Sequence, residues 1–388
     1  MNEEERAIVE GVARFVDREV RPQADTLEQQ GLYPDALVKK AAELGLFGIA
    51  VPAEFGGLGL SLPAFVAAME EVARGWTTLA AYINSHATVA SAIRNHGTDG
   101  QRSRYLPRMA TGELRGAICL TEDTGGSDLQ AIRTVAKQAG DGYVIAGTKI
   151  FVTNGDKAGL LLVLVKTDPA AKPAKDGMSL FLVDKQESGV SASGTYHKMG
   201  FDLVDTCEIK FEDIKVPSDA LLGGKPGRGL AQILDGLDTG RLAIAASANG
   251  LAIAALDESI AYSRQRRAFG TEIAGFQAIQ FRLAEMASRT AASRAMTAEA
   301  ARAKAEGRSA GMLCAMAKLV SSEAAFETVT DAVRVHGGYG YIRTVQAERL
   351  FREAPLYIVG EGTNDIQKIV IARSLLQGKS LSELGLAG

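Results

Sequence analysis

Gly140-Asp141-Gly142-Tyr143-Val144-Ile145-Ala146-Gly147-Thr148-Lys149-Ile150-Phe151-Val152-Thr153-Asn154-Gly155 is built unlike the chain on either side of it. β-Branched and aromatic residues fill the stretch. Gly-Asp-Gly opens it and Asn-Gly closes it, the pattern of β-structure bounded by turns. Similar runs stand at residues 160–165, 180–183 and 206–211, separated by Asn154-Gly155-Asp156, Pro169, Pro173 and Asp176-Gly177. No stretch with the length and period of a crossover helix lies between them. The strands are therefore expected to pair mostly antiparallel, in a compact barrel-like sheet.

Outward from that stretch the period changes. Upstream, Ile8, Val12, Phe15 and Val16 recur at helical spacing until Arg21-Pro22. Further helices are expected at 36–46, 62–75 and 79–95, the last small and apolar enough to be buried on most sides. Downstream of Pro226-Gly227 the segments 230–265, 277–306 and 309–336 are long, Ala-rich and periodic, and 365–376 closes the set as a four-helix bundle. The expected fold is α+β: an N-terminal helical domain (1–116), a central antiparallel β-barrel-like domain (117–225) and a C-terminal four-helix bundle (226–388).

Composition narrows the function. The 388 residues carry a net charge of −3, 46% hydrophobic and 23% charged residues, so no basic field is available for nucleic acid or anionic lipid. Cys119, Cys207 and Cys314 are odd in number and far apart, which argues against a disulfide framework or a CxxC site. An acidic N-terminus (Glu3, Glu4, Glu5, Glu10) reads as neither signal nor transit peptide. No apolar run approaches the ~20 residues of a membrane span. A cytoplasmic protein without a membrane span is the expectation. The glycine clusters lack the G-x-G-x-x-G context of a nicotinamide site, no phosphate-binding G-x-x-x-x-G-K-[ST] occurs, and His86, His96, His197 and His336 do not cluster as metal ligands.

Four segments are candidates for chemistry, each with a plainer reading beside it. Cys119-Leu120-Thr121-Glu122-Asp123-Thr124-Gly125-Gly126-Ser127-Asp128 can aim backbone N–H groups at an anion or polar ring, or be a polar surface turn. Residues 147–155 can be an ordinary hairpin. Arg264-Gln265-Arg266-Arg267-Ala268-Phe269-Gly270, with Gln277 following, can be cations capping a helix. Residues 334–369 hold His336-Gly337-Gly338-Tyr339-Gly340 and Gly360-Glu361-Gly362-Thr363-Asn364-Asp365. A carboxylate between two glycines, before a Thr cap, lies where backbone approaches a ligand closely, yet a lone Glu in a turn is more often solvated.

In this order and at these separations, the segments resemble the acyl-CoA dehydrogenase family over essentially the whole chain, from Phe15–Pro22 to Ile369–Arg373. The resemblance implies FAD at a subunit interface in a homotetramer built as a dimer of dimers. It implies that Ile118, Cys119, Leu120, Thr121, Gly126 and Ser127 line the flavin, Ser127 also meeting substrate. Phe151, Val152 and Thr153 would cover the ring face. Arg266, Ala268, Phe269, Phe276 and Gln277 would hold the neighbouring subunit's FAD, approached also by Arg334, Gly337 and Gly338. Thr363, Asn364 and Asp365 would take its adenosine side. Asp238 and Arg241 would follow the pantetheine arm, and Gly362 would touch substrate. Asp123, Gly125 and Arg334 depart from the family pattern, which usually has Pro, Ala and an amide there.

The resemblance makes Glu361 the catalytic base, removing the α-proton of an acyl-CoA while flavin N5 takes the β-hydride, to give the trans-2-enoyl-CoA. An electron-transfer flavoprotein is the implied electron acceptor. Oxidising a saturated C–C bond is too demanding for a nicotinamide, which is a chemical reason for a flavin. Enclosure would raise the Glu361 pKa toward that of a working base. The implied carbonyl donors, Glu361 N–H and a ribityl hydroxyl, are each worth ~3–4 kcal/mol. Gly240 stands where subgroups with the base on the bundle helix need Glu. No Arg between 76 and 86 is available for a distal carboxylate, favouring a monocarboxylic acyl group. The alternatives are the same oxidation on a carrier-protein-bound thioester, and a catalytically idle flavin-binding assembly protein.

Overall fold

The computed structural model describes residues 1–380; the tail of the expected bundle segment, 381–388, lies outside them. Helix α1 (Glu3–Phe15) starts in a capping box in which Asn2 and Glu5 satisfy each other's backbone N–H groups. It does not stop at Arg21-Pro22 as expected. A π-turn (Val16–Val20) hands over to α2 (Arg21–Gln30), where Pro22 sits in the first turn and its missing N–H costs nothing. Then follow α3 (Asp35–Glu43), α4 (Leu62–Gly75), α5 (Thr77–His96) and α6 (Asp99–Ala110). Helix α6 was not among the expected helices; Pro107 lies inside it. Its signature was nonetheless present in the Thr98/Gln101 capping box.

The middle segment contains β1 (Gly116–Cys119), β2 (Val135–Ala139), β3 (Gly142–Thr153), β4 (Leu160–Lys166), β5 (Met178–Asp184), β6 (Val190–Ala192) and β7 (Thr206–Pro217). They form one sheet in the order β1-β4-β2-β3-β7-β6, with β5 paired to β4. Pairing is antiparallel except where β1 and the start of β2 run parallel to β4. The stretch 142–153 is one strand, bent by register shifts between Ile145 and Gly147 and between Lys149 and Val152. Gly147 adopts φ 148, and a β-carbon there would collide with Thr134, so the bend requires glycine. Along β4, Leu160, Leu162 and Leu164 join Val89, Ile93 and Met109 of the helical layer, whereas Leu161, Val163 and Val165 pack into the sheet's other core with Phe181 and Phe211. A strand covered on both faces reads as the continuous apolar run seen here.

Helices α7 (Gly229–Gln265), α8 (Gln277–Ala305), α9 (Gly311–His336), α10 (Gln346–Val359) and α11 (Asn364–Leu376) complete the described fold, with a short hairpin of β8 (Arg267–Ala268) and β9 (Thr271–Glu272) after α7. Helix α10 was not among the expected helices; it too contains a proline, Pro355. The bundle segment therefore has five helices among the described residues rather than four. Among the described residues helix α7 alone is long and apolar enough for a membrane, which the sequence reading did not expect of any segment, but 78% of that window is buried in the protein. Alanine faces let α7, α9 and α4 approach closely. Across α7, α8 and α9 a buried polar ladder fixes the register: Ser293 Oγ donates to Asn249 Oδ1 (2.7 Å), Asn249 Nδ2 donates to Thr297 Oγ1 (3.1 Å), and Thr297 meets Ser321 (3.0 Å).

Candidate active site

The turn between α10 and α11 carries Glu361 in a conformation few side chains adopt. Its φ is 50 and that of Gly362 is 85. A left-handed non-glycine residue costs on the order of 1–2 kcal/mol, so the surroundings must hold it. On the far side, Thr363 caps α11 by accepting from Ile366 N–H (3.3 Å), and Gln367 Nε2 donates to Gly362 O (2.8 Å).

The carboxylate points inward. Oε1 accepts from Asn84 Nδ2 of α5 at 2.8 Å, while Oε2 is enclosed without a hydrogen-bond partner. Gly240 of α7 lies against Oε2, and a β-carbon there would collide with it. The backbone thus leaves room for the acid at 361 and for none at 240. Burial raises the Glu361 pKa; the Asn84 hydrogen bond and the charges of Lys318 and Arg241 pull it back only in part.

Helix α5 joins this acid to the sheet. Beside Asn84, Ser85 Oγ donates to Thr153 O (3.4 Å), and Asn154 Nδ2 donates to Tyr82 O (3.2 Å), so the end of β3 docks next to the helix that holds Glu361. Just before that end, Phe151 has φ 56 and is 61% exposed, packed against Tyr196 with the rings tilted and 5.3 Å apart. Val152 is buried, leaving Phe151 and Thr153 to present this strand's face.

The loop after β1 is clamped to the same strand. Ile150 N–H donates to Thr121 O (2.9 Å). Glu122 accepts from Arg133 N–H (2.6 Å), Thr134 N–H (3.0 Å) and the buried Lys149 ammonium (2.8 Å), which also donates to Leu120 O (3.0 Å). Ile118, Leu120 and Thr121 are half-buried, and Gly126 and Ser127 are exposed. Cys119 is buried, its thiol pushed up to about 12, so it contributes backbone and packing rather than a thiolate. At Gly125 a β-carbon would collide with Asp128 O, which accounts for that departure: only glycine fits this loop.

A second region lies at the β8–β9 hairpin. Arg266, Ala268, Phe269, Phe276, Gly337 and Gly338, with Tyr262 and Tyr339, line a groove of about 570 Å³. Phe269 is 97% exposed, and β-carbons at Gly337 and Gly338 would meet nothing within 4 Å. One cation, open backbone and aromatic walls fit a pyrophosphate joined to planar rings, so the residues present are compatible with a dinucleotide. Gln277 begins α8 at the groove's end. Arg334 is engaged with Asp331 (3.1 Å), which Arg282 and Arg289 also hold. Asp365 is exposed and pairs with Lys368 (3.2 Å). The Asn364 side chain turns inward to Lys318, Ser322 and Glu323, leaving only its backbone for a ligand. Asp238 and Arg241 pair with each other one turn apart on α7, flanking Gly240 (2.5 Å).

Two residues join the site that the four segments did not contain. The only signal for Asn84 in the sequence is a polar residue, with Tyr82 and His86, on an apolar helix. Lys318 had none at motif level, but a lysine amid Ala315, Ala317, Ser321 and Ser322 is a charge at a core position.

Three family models cover the chain: acyl-CoA dehydrogenase N-terminal domain over residues 2–113, middle domain over 117–214 and C-terminal domain over 227–376. The probable acyl-CoA dehydrogenase YngJ of Bacillus subtilis is 39% identical over 97% of this chain and 99% of its own. The 3-(aryl)acrylate reductase of Clostridium sporogenes is 37% identical over 96% and 99%. Butyryl-CoA dehydrogenase from Megasphaera elsdenii superposes with a TM-score of 0.93 at 31% identity, over 97% and 99%. A chain from a structure of the electron transferring flavoprotein of Acidaminococcus fermentans gives 0.94 at 36%, with the same coverage. The chain belongs to the acyl-CoA dehydrogenase family, whose members are FAD-dependent oxidoreductases of acyl-CoA thioesters.

Proposed function

We propose that this protein removes the α-proton of a saturated monocarboxylic acyl-CoA with Glu361, forming the trans-2-enoyl-CoA. The supporting observation is the enclosed, unpartnered Oε2 of Glu361, held by α5, the helix that also meets the end of β3. FAD supplies, when bound, the acceptor for the β-hydrogen. The chain's own residues do the rest. Glu361 Oε2 faces the incoming Cα–H with no competing hydrogen bond, and its raised pKa makes it a stronger base once ionised. Negative charge develops on the thioester oxygen as the proton leaves. The Glu361 N–H, which has no acceptor among the described residues, is the local donor for it. Arg241 and Lys318 add positive charge on the base's side, limiting how far burial disfavours the carboxylate.

Phe269, Tyr339 and Tyr341 are exposed around the dinucleotide groove, which fits a subunit contact in a homotetramer. By analogy with the electron transferring flavoprotein neighbour, reoxidation passes to a protein of that kind. The relative described as a 3-(aryl)acrylate reductase favours a second reading, the same site working in the reducing direction. Purified Glu361→Gln tests the main reading. It should remain yellow with flavin and fail to bleach with any straight, branched or aryl acyl-CoA that bleaches the wild type; retained bleaching removes Glu361 from the reaction. Running wild type with acyl-CoA, acyl carrier protein thioester and 2-enoyl-CoA decides carrier and direction.

A further inference from the structure

A buried cation stands behind the base turn, and its hydrogen bonds have no part in the steps above. Lys318 of α9 is fully buried, and its ammonium donates to Ile358 O (3.2 Å) and to Asn364 Oδ1 (2.7 Å). Ile358 lies in the last turn of α10, and Asn364 is the first residue of α11. The two acceptors therefore bracket residues 359–363, the segment containing the left-handed Glu361 and Gly362. Asn364 is held from its other side by Ser322 Oγ (3.0 Å) and Glu323 Oε1 (2.8 Å), so the bracket is anchored to α9 at both ends.

We propose, on the reading of Glu361 as the base, that Lys318 is its positioning residue: the buried ammonium ties the end of α10 to the start of α11 and holds the turn between them in the geometry that aims Glu361 at the substrate. Three features support this. A left-handed glutamate does not persist without restraint, and Lys318 supplies hydrogen bonds to both flanks. A lysine is costly to bury, and a purely structural tie needs no charge, since a neutral donor would serve. Its charge also acts on Glu361: burial pushes the Lys318 pKa down to about 8, which leaves it cationic at neutral pH, and its field lowers the Glu361 pKa. The other groups facing this space are Arg241 from α7, which also favours the Glu361 carboxylate, Asn84 from α5, and Glu323 from α9, which favours the lysine cation.

The direction of the pH effect follows. Without the lysine charge the Glu361 pKa rises further, so a higher pH is needed to ionise the base. The experiment is the rate of flavin bleaching under saturating acyl-CoA, from pH 5.5 to 9, for wild-type and Lys318→Met holoprotein. Flavin content, thermal unfolding and acyl-CoA affinity are measured on the same samples. The expected result is a bleaching rate at neutral pH lower by about tenfold or more, an acid limb displaced upward by roughly one unit, and substrate affinity within about twofold. An unchanged acid limb and rate in a folded, flavin-loaded variant overturns the proposal. If Lys318→Met does not fold, Lys318→Gln, which keeps one donor but no charge, is read in the same way: a displaced limb supports the proposal and an undisplaced one overturns it. Bleaching by Glu361→Gln in the wild-type background would instead overturn the base itself, so the two failures are separable.

Discussion

Two glutamates eight positions apart have opposite surroundings: Glu353 is fully buried, and Glu361 is half-buried with its Oε2 enclosed. Glu353 accepts from Thr77 Oγ1 (2.6 Å) and Arg349 Nη1 (3.1 Å), and Arg349 is held in turn by Asp25 (2.9 Å). Glu361 has one partner, Asn84, and an Oε2 with none. Burial raises the pKa of both. Burial therefore does not identify a base. The distinguishing property is an acceptor left without a donor, beside a glycine that leaves it space.

The largest expected effect breaks the pair apart by function. Glu361→Gln should lower the bleaching rate by about 10³-fold, equivalent to ~4 kcal/mol, in stopped-flow measurements. Its stability should hold or rise: a carboxyl whose folded pKa is raised contributes stability at low pH that is lost as pH rises through that pKa, so at pH 7 its removal relieves a cost. Burial disfavours the Glu353 carboxylate too, but Glu353→Gln also strips the buried Arg349 of its acid. That loss should outweigh the relief and cost about 3 kcal/mol in urea unfolding, while flavin-loaded molecules retain their bleaching rate.

His86 supplies a neutral counterpart. It is fully buried, accepts from Gly116 N–H through Nδ1 (3.2 Å), and its other nitrogen meets Phe47 O (3.1 Å). Burial pushes its pKa down to about 4 from 6.5, so the folded state resists a proton that the unfolded chain accepts. Stability is full above pH 6.5 and declines as pH falls, by about 2–3 kcal/mol at pH 4.5. Urea midpoints at pH 7.5 and 4.5 measure the decline, and His86→Gln should flatten that part of it. The smallest effect sharpens the comparison at Oε2. Gly240→Ala should keep the unfolding midpoint, since alanine is the better helix former, yet slow bleaching about tenfold by displacing the carboxylate. An unaltered rate would show that Oε2 does not need that space.

Much of the architecture was legible because apolar period is a local property. The helical runs at 62–75 and 230–265 and the turn-bounded strands of the middle segment could be read from spacing alone. The errors came where one residue type has two meanings. Pro22 reads as an end but opens a helix, whereas the helices that contain Pro107 and Pro355 were not expected at all. The continuous apolar run of β4 indicated a strand buried on both faces but could not disclose that β1 lies parallel to it. At the site, the four candidate segments, Glu361 among them, were visible as motifs, whereas Asn84 and Lys318 were not, since neither belongs to a pattern of neighbours in sequence.

The sequence by itself determined the helix–strand–helix order, the position of an acid between two glycines, and a glycine at 240, because composition and spacing are written along the chain. Only the tertiary structure decided that this acid, and not Glu353, has an open acceptor. Asn84 lies 277 residues from Glu361, and Gly240 and Lys318 reach it from two further helices. The protonation of a carboxyl depends on the donors, charges and solvent within a few ångströms, and those are fixed only when distant segments pack together.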